Sequence, residues 1–256
     1  MTVERVARAR GAIMAAVDDV DEVDEHDQPA VPEVPELGGD APAPVATPAT
    51  AAGDWRLTAG SLRFLTMLVD HLEPRLVLEF GSGRSTVVLG RSLASLRRPA
   101  TLVTIENDPD HLDRTRAGIV AAGLETAVRL RSAPVVVRRC HDRNVPVYLL
   151  GARACSTGRP RGLRRPDLIL VDGPPLPLGG REGALYQALH SSHEGTVIVL
   201  DDSRRDSERE LLVRLLQRFD GHIEAVDLLG FPKGLALILV TETIPTDDFP
   251  EELIHA

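Results

Sequence analysis

The amino-acid sequence predicts an α/β protein built around a mainly parallel sheet. Strand-like and helix-like segments alternate from residue 76 to residue 240, which is the pattern of repeated β-α units. Two of the strand-like runs, 168–171 and 197–200, are continuously apolar, as expected of strands that are buried on both faces. We therefore expect right-handed crossover connections and helices on both faces of the sheet.

A helix is predicted directly before the first strand. Apolar residues recur at helical spacing between Ser61 and Leu72, and Pro74 ends the pattern. The later segments are assigned from their apolar patterns in the same way. The predicted strands are 76–80, 102–106, 128–130, 168–171, 197–200, 223–228 and 235–240, and the predicted helices lie around 86–96, 109–122, 181–190 and 207–219.

Composition divides the chain into four parts. Residues 1–17 are predicted to form a short amphipathic helix, and residues 18–53 a disordered linker that is acidic and then rich in Pro and Ala. Residues 54–245 carry the folded domain, and 246–256 form a C-terminal tail. The net charge of −9 belongs to the linker, since 18–40 contains ten acids and no Lys or Arg. This linker is either a solvated spacer or an arm that recruits a protein partner.

An insertion at 135–166 interrupts the alternation of strands and helices. It lacks a clear helix, although residues 145–150 could form a strand. Aromatic residues are not interleaved with its basic ones, so a nucleic-acid partner is not expected. We interpret the segment as a solvated loop or as an anion-facing lid. It carries the arginines Arg138, Arg139, Arg143, Arg153, Arg159, Arg161, Arg164 and Arg165.

Membrane insertion and export are not expected from this sequence. No apolar run approaches the roughly 20 residues that cross a bilayer, and the N-terminus lacks the apolar core of a signal peptide. Cys140 and Cys155 are not part of a Cys-x-x-Cys motif, so we expect thiols rather than a disulfide. A cytoplasmic protein without a membrane partner is predicted.

The most informative motif follows the first predicted strand. Gly81 and Gly83 allow a sharp turn and the close approach of a ligand, and the helix after them presents free N–H groups. Glu106 closes the next strand, where its carboxylate could accept hydrogen bonds from two ribose hydroxyls. This arrangement indicates a nucleotide-type cofactor site. A dinucleotide fingerprint would need a small residue where this chain has Thr86.

These residues resemble the class I S-adenosylmethionine-dependent methyltransferases. The first motif of that family is matched by residues 79–85, with Ser85 in place of the last glycine. The resemblance spans about residues 55–242. It implies a Rossmann-like seven-stranded, mostly parallel sheet with helices on both faces and a final antiparallel strand pair, here within 221–242. The Val-Asp-Gly-Pro-Pro motif at 171–175 resembles a bacterial subgroup whose acceptor is unassigned.

The resemblance also implies a cofactor-binding set. Glu106 would hold the adenosyl ribose, Gly81 and Gly83 would lie under the methionine part, and residues 131–133 would lie near the adenine. The expected cofactor is S-adenosyl-L-methionine. The complete set is Glu79, Gly81, Ser82, Gly83, Ser85, Thr86, Glu106, Asn107, Ala133 and Asp172.

Acids at the ends of the fourth and fifth strands suggest where an acceptor would react. Asp172, Asp201 and Asp202 resemble the metal site of catechol-type and macrolide-sugar O-methyltransferases, which would imply Mg²⁺. Alternatively one aspartate acts as a metal-free general base, or Asp201 or Asp202 has a structural role, either capping the helix that begins near Ser207 or pairing with Arg204 or Arg205. Pro174 and Pro175 depart from the metal-dependent families. The candidate catalytic residues are Asp172, Asp201 and Arg181. Arg181 either fixes an anionic or sugar-like acceptor or is an exposed arginine on the helix surface.

The sequence therefore predicts an enzyme that methylates oxygen of a small molecule, such as a sugar or natural-product hydroxyl. One alternative is an NAD-dependent oxidoreductase, which Thr86 and the absence of a Tyr-x-x-x-Lys motif disfavour. The other is a non-catalytic Rossmann-like interaction protein with an acidic recruiting arm. A homodimer is compatible with the sequence but is not indicated by any motif.

Overall fold

The computed structural model describes residues 2–21, 57–140, 142–150, 154–155, 159–160, 165–228 and 230–250. Its helices are α1 (Thr2–Asp21), α2 (Ala59–Leu72), α3 (Arg84–Ser95), α4 (Pro109–Ala121), α5 (Glu182–Ser191) and α6 (Asp206–Arg218). Its strands are β1 (Leu76–Phe80), β2 (Thr101–Glu106), β3 (Val128–Ser132), β4 (Val135–Cys140), β5 (Arg143–Tyr148), β6 (Ala154–Cys155), β7 (Arg159–Pro160), β8 (Leu168–Val171), β9 (Val197–Asp201), β10 (Ile223–Leu228) and β11 (Leu235–Val240).

Seven strands form the central sheet in the order β10-β11-β9-β8-β1-β2-β3. Six of them run in the same direction, and only β11, which lies between β9 and β10, is antiparallel to its neighbours. The chain builds outward from β1 to β3 and then returns to place β8 on the other side of β1. The carboxyl ends of β1 and β8 therefore border the crevice in which open α/β sheets bind ligands. The predicted Rossmann-like fold is confirmed, including its final antiparallel pair.

The sheet is buried on both faces because its central strands alternate side chains between two aliphatic cores. On β1, Leu78 packs with α5, α6 and the β4–β5 hairpin, and Val77 packs with α1, α2 and α3. Every residue of β8, β9 and β11 is also buried. This burial explains why these strands are continuous apolar runs in the sequence.

Helix α1 extends further than the sequence indicates. It continues through Asp21, whereas the prediction ended it at residue 17 and placed 18–21 in a disordered linker. Docking on α2 supports the extra turn, since the ring of His71 lies 2.6 Å from the carboxylate of Asp19. The small buried side chain of Ala16 allows close helix contact. The rest of the predicted linker, 22–53, lies outside the described residues.

The insertion contributes a packed hairpin rather than only solvated loop. Strands β4 and β5 pair antiparallel, and the side chains of Val145, Val147 and Tyr148 on β5 are buried. The predicted strand at 145–150 is therefore present, but it spans 143–148 and so begins and ends two residues earlier than predicted. Arginines such as Arg138 and Arg139 lie on the partner strand, and their charges obscured its apolar positions in the sequence.

The predicted C-terminal tail begins as part of the domain. Phe249 is buried and lies 5.0 Å from the ring of His190 and 5.5 Å from that of Phe219, measured between centroids. Residues 251–256 are outside the described part of the chain. Among the helices that the structure describes, none is long and apolar enough to span a membrane.

Candidate active site

The turn after β1 forms the floor of the candidate site. Gly81 and Gly83 have φ values of 93° and 153°, which favour glycine, and α3 begins directly after them. A Cβ atom at Gly81 would lie 3.2 Å from the backbone nitrogen of Gly173. The turn therefore packs against the loop that follows β8, and the two loops meet at the crevice.

Glu79 lies beneath this turn and is inaccessible to solvent. One of its carboxylate oxygens accepts a hydrogen bond from the hydroxyl of Ser85, and the other accepts from Thr86 and Thr104, all within 2.8 Å. Burial raises the pKa of Glu79 to about 7, although these hydrogen bonds act in the opposite direction. The hydrogen bonds of Glu79 with Ser85 and Thr86 thus connect β1 to the start of α3 and stabilise the turn between them.

Glu106 connects the end of β2 to the same turn. Its carboxylate accepts hydrogen bonds from the backbone N–H groups of Ser82 at 2.8 Å, Asn107 at 2.7 Å and Asp108 at 2.9 Å. The N–H of Ala133, which follows β3, donates to the carbonyl of Glu106 at 2.8 Å. The structure therefore brings the predicted cofactor residues of β1, β2 and β3 together at one edge.

The three predicted acids also come together. Asp172 follows β8, Asp201 ends β9 and Asp202 comes directly after it. Each contributes one carboxylate oxygen, and these three oxygens lie within 4.8 Å of one another. Asp202 has φ of 59°, a left-handed conformation that Asp tolerates better than most residues. Burial, followed by the negative charges of Asp172 and Asp202, raises the pKa of Asp201 to about 8.

Arg181 lies among these acids and is 3% exposed. Its Nη2 atom donates hydrogen bonds to Asp172 at 2.8 Å and to Asp202 at 2.6 Å, and lies 3.8 Å from a carboxylate oxygen of Asp201. Its Nη1 atom lies 3.9 Å from Glu208 of α6. The interpretation of Arg181 as an exposed helix-surface residue is therefore wrong.

Two contributors to this region, Glu208 and Tyr148, were not identified from the sequence. Glu208 lies in α6, where its spacing suggests an exposed acid, yet it is 2% exposed. The pairing of Asp202 with Arg205, which the sequence offered as a structural alternative, is present, with Nη2 of Arg205 2.8 Å from the carboxylate of Asp202. Tyr148 comes from the insertion, whose spacing gave no sign that β5 reaches the site.

Tyr148 lies against the two loops that form the crevice. Its ring packs on Phe80 with centroids 5.5 Å apart, and its hydroxyl would lie 2.5 Å from a Cβ atom at Gly173. That hydroxyl is buried and has no hydrogen-bond partner among the described residues. Gln187 holds the strand in place by hydrogen-bonding both the N–H and the carbonyl of Tyr148.

A cavity of about 440 Å³ lies elsewhere, between the β4–β5 hairpin and helices α5 and α6. It contains none of the predicted site residues, and its volume alone does not make it the functional site. Its lining is formed by Cys140, Asp142, Arg143, Tyr186, Arg214, Gln217, Arg218 and Asp248.

Solved structures of known proteins share this architecture. A putative O-methyltransferase from Klebsiella pneumoniae matches with a TM-score of 0.52 at 21% identity, over 75% of this chain and 83% of the other. The O-methyltransferase from Bacillus cereus, solved in complex with SAH, matches with a TM-score of 0.54 at 22% identity, over 73% and 84%. TomG from Streptomyces achromogenes, an O-methyltransferase involved in tomaymycin synthesis and solved with SAM, matches with a TM-score of 0.54 at 20% identity, over 73% and 82%.

The chain has the fold of the class I S-adenosylmethionine-dependent methyltransferases. No family model and no curated protein matches its sequence. Within this methyltransferase fold, the turn at Gly81 and the carboxylate of Glu106 lie at the carboxyl edge of the sheet, together with the acids that follow β8 and β9. The fold therefore places the two groups of predicted residues around one crevice.

Proposed function

We propose that this protein is an S-adenosylmethionine-dependent methyltransferase that acts on a hydroxyl of a small molecule. The observation that carries the proposal is the contact between Glu106 and the turn after β1, where the carboxylate accepts the N–H of Ser82 at 2.8 Å. This contact joins an acid suited to ribose hydroxyls with a glycine turn suited to close approach. Both lie at the carboxyl edge of the sheet, where the turn borders the topological switch point between β1 and β8.

The residues around the crevice suit different parts of the cofactor. Glu106 would hold the ribose, since two oxygens with about four lone-pair sites can accept more than the three N–H groups that they already bind. Gly81 and Gly83 would lie against the methionine part, and Asn107 and Ala133 would line the adenine side. When bound, the cofactor supplies an activated methyl group.

The acceptor side of the crevice supports proton removal by Asp172. Its side chain is 18% exposed, whereas the side chains of Asp201 and Asp202 are 1% and 7% exposed. Asp172 is therefore the acid of the three that an entering hydroxyl can reach most readily. Arg181 fixes the orientation of its carboxylate through the 2.8 Å hydrogen bond. In this mechanism Asp172 accepts the proton from the acceptor oxygen.

Mg²⁺ would be an alternative means of activating the acceptor. The oxygen ligands of Asp172, Asp201 and Asp202 suit Mg²⁺, which would lower the pKa of a bound hydroxyl. The nitrogen of Arg181 already contacts these oxygens, however, so the cluster as it stands does not fit a metal ion. The proposed mechanism therefore contains no metal-dependent step.

Structurally similar proteins that were solved with a bound ligand support the choice of cofactor. The Bacillus cereus enzyme was solved with SAH and TomG with SAM, and both are described as O-methyltransferases. Their shared architecture with this chain makes the same sulfur cofactor the first ligand to test. The acceptor of this protein is proposed only as a class, a hydroxyl-bearing small molecule.

Isothermal titration calorimetry on the full chain tests the proposal. We expect micromolar binding of S-adenosylhomocysteine, no binding of NAD, and loss of affinity in Glu106→Ala. Glu125→Ala is the matched control, because this acid is exposed and lies away from the crevice. Binding of NAD alone would overturn the proposal in favour of an oxidoreductase, and binding of neither ligand would favour a non-catalytic interaction protein.

A further inference from the structure

The acid cluster at the ends of β8 and β9 already contains a cation. A single atom, Nη2 of Arg181, lies 2.8 Å from Asp172, 2.6 Å from Asp202 and 3.8 Å from Asp201. These are the three side chains whose oxygens could otherwise converge on a metal ion. The guanidinium nitrogen therefore lies where such an ion would be bound.

Arg181 is held in this position by its surroundings. Its carbonyl accepts the N–H of Leu185 at 2.9 Å, so the backbone belongs to the start of α5. The side chain is 2% exposed, and Nη1 lies 3.9 Å from Glu208, which is equally buried. A side chain enclosed in this way cannot move into solvent without disrupting the packing between α5 and α6.

A second arginine beside the cluster also opposes a further cation. Asp202 already contacts a second guanidinium, since Nη2 of Arg205 lies 2.8 Å from the same oxygen that Arg181 binds. A divalent ion placed among the acids would lie within a few ångströms of two fixed positive charges in a buried site, where screening is weak. Removing Arg181 instead would leave buried carboxylates without a partner, which is costly.

We infer that the guanidinium of Arg181 replaces a divalent cation in this chain, so that Asp172 and Asp202 bind Arg181, Asp201 lies 3.8 Å from it, and the three acids do not bind Mg²⁺. Arg181 is then a positioning residue, which holds Asp172 as a metal ion would hold it. The inference concerns cation binding by the folded chain. Its failure is therefore distinguishable from failure of the proposed methyl transfer, which is tested by cofactor binding.

Titration with Mn²⁺, used as a probe for Mg²⁺, tests the inference by electron paramagnetic resonance of the free ion. The wild-type chain should bind no Mn²⁺ at the cluster. Arg181→Met should bind one Mn²⁺ per chain, with an affinity on the order of tenfold or more above any wild-type binding, because the competing positive charge is absent. Its melting temperature should rise with added Mn²⁺, whereas that of the wild type should not.

Two further variants localise the effect. Arg204→Met is the matched control, because it removes an exposed arginine near the cluster and should leave Mn²⁺ binding unchanged from wild type. The double variant Arg181→Met with Asp202→Asn should lose the gained site. Arg181→Gln, which is polar but uncharged, replaces the methionine variant if that protein does not fold.

Two results would overturn the inference. The first is stoichiometric Mn²⁺ binding by the wild type that Asp201→Asn abolishes, since the acids would then accept a metal in the presence of Arg181. The second is a folded Arg181 variant that gains no Mn²⁺ site, because the arginine would then not be what excludes the ion.

Discussion

The hydroxyl of Thr86 donates a hydrogen bond to the buried carboxylate of Glu79 at 2.8 Å. The same hydroxyl accepts the N–H of Gly83 at 3.0 Å, so one side chain joins the strand to the turn that follows it. Thr86 occupies the position where a dinucleotide fingerprint needs a small residue. Thr86, which argues against NAD binding in the sequence, therefore stabilises the turn after β1 in the structure.

Thr86→Val should destabilise the fold, because it leaves the N–H of Gly83 without its partner and removes one donor from Glu79. We expect a loss of about 1–3 kcal/mol in the free energy of unfolding, measured with urea. Thr66→Val is the control, since its hydroxyl donates to Leu62 within its own helix. Equal losses of unfolding free energy in the two variants would contradict the stabilising role of the Thr86 hydrogen bonds.

Glu79 should make stability depend on pH. Its folded-state pKa is raised to about 7 from a usual 4.5, chiefly by burial, so the native state holds the proton more tightly than the unfolded state. Its contribution is therefore fully present below the unfolded pKa and is lost as pH rises toward 7, by on the order of 3 kcal/mol.

Comparison with Glu79→Gln isolates this effect, because the glutamine side chain does not titrate. Urea unfolding at several pH values between 4.5 and 8 should show the wild type losing stability relative to the variant as pH rises. A difference between the two proteins that stays constant over this range would contradict the raised pKa of Glu79.

Tyr148→Phe should change stability little, because the hydroxyl has no hydrogen-bond partner among the described residues. Gly173→Ala should be strongly destabilising, since its new Cβ would lie 2.5 Å from that hydroxyl. The double variant should recover part of the loss, and a double-mutant cycle of unfolding free energies measures the coupling. If the changes in unfolding free energy of the two single variants simply add up in the double variant, residues 148 and 173 are not in contact.

Helix α1 should depend on Ala16, which is completely buried. Ala16→Glu places a charge against α2 and should release α1, as limited proteolysis near the N-terminus would report. Met14→Glu adds the same charge on the same helix at a side chain that is 57% exposed, and should leave cleavage unchanged. Similar cleavage of both variants would indicate that α1 is not docked through this face.

The central sheet was predictable from the sequence because its strands are buried on both faces. Runs such as 168–171 and 197–200 contain only apolar residues, which is the pattern of a strand buried on both faces. An amphipathic helix would instead show polar residues at its solvent-facing positions. The hairpin β4–β5 was only partly predictable, since Arg138 and Arg139 lie on a strand whose other residues contact the core only at its ends. Local pattern does not reveal that β5 packs under α5.

The site was predictable where a motif lies on regular structure. Gly81 and Glu106 follow strands whose positions were evident, so their meeting at the sheet edge could be expected. The position of Arg181 could not, because it depends on a loop that contains Gly179 and Gly180 with φ of 104° and 80°. The conformation of this loop depends on tertiary contacts, so the spacing of residues in the sequence does not predict where the side chain of Arg181 lies.

The left-handed backbone of Asp202 allows the side chains of Asp201 and Asp202 to approach the same guanidinium. Along a strand, adjacent residues point to opposite faces, so Asp201 and Asp202 could not both reach one partner if β9 continued. The reversal in φ at Asp202 ends that alternation and turns two successive carboxylates toward the same guanidinium. A branched apolar residue such as valine at 202 would strain this backbone as well as removing a charge, whereas asparagine would remove the charge alone.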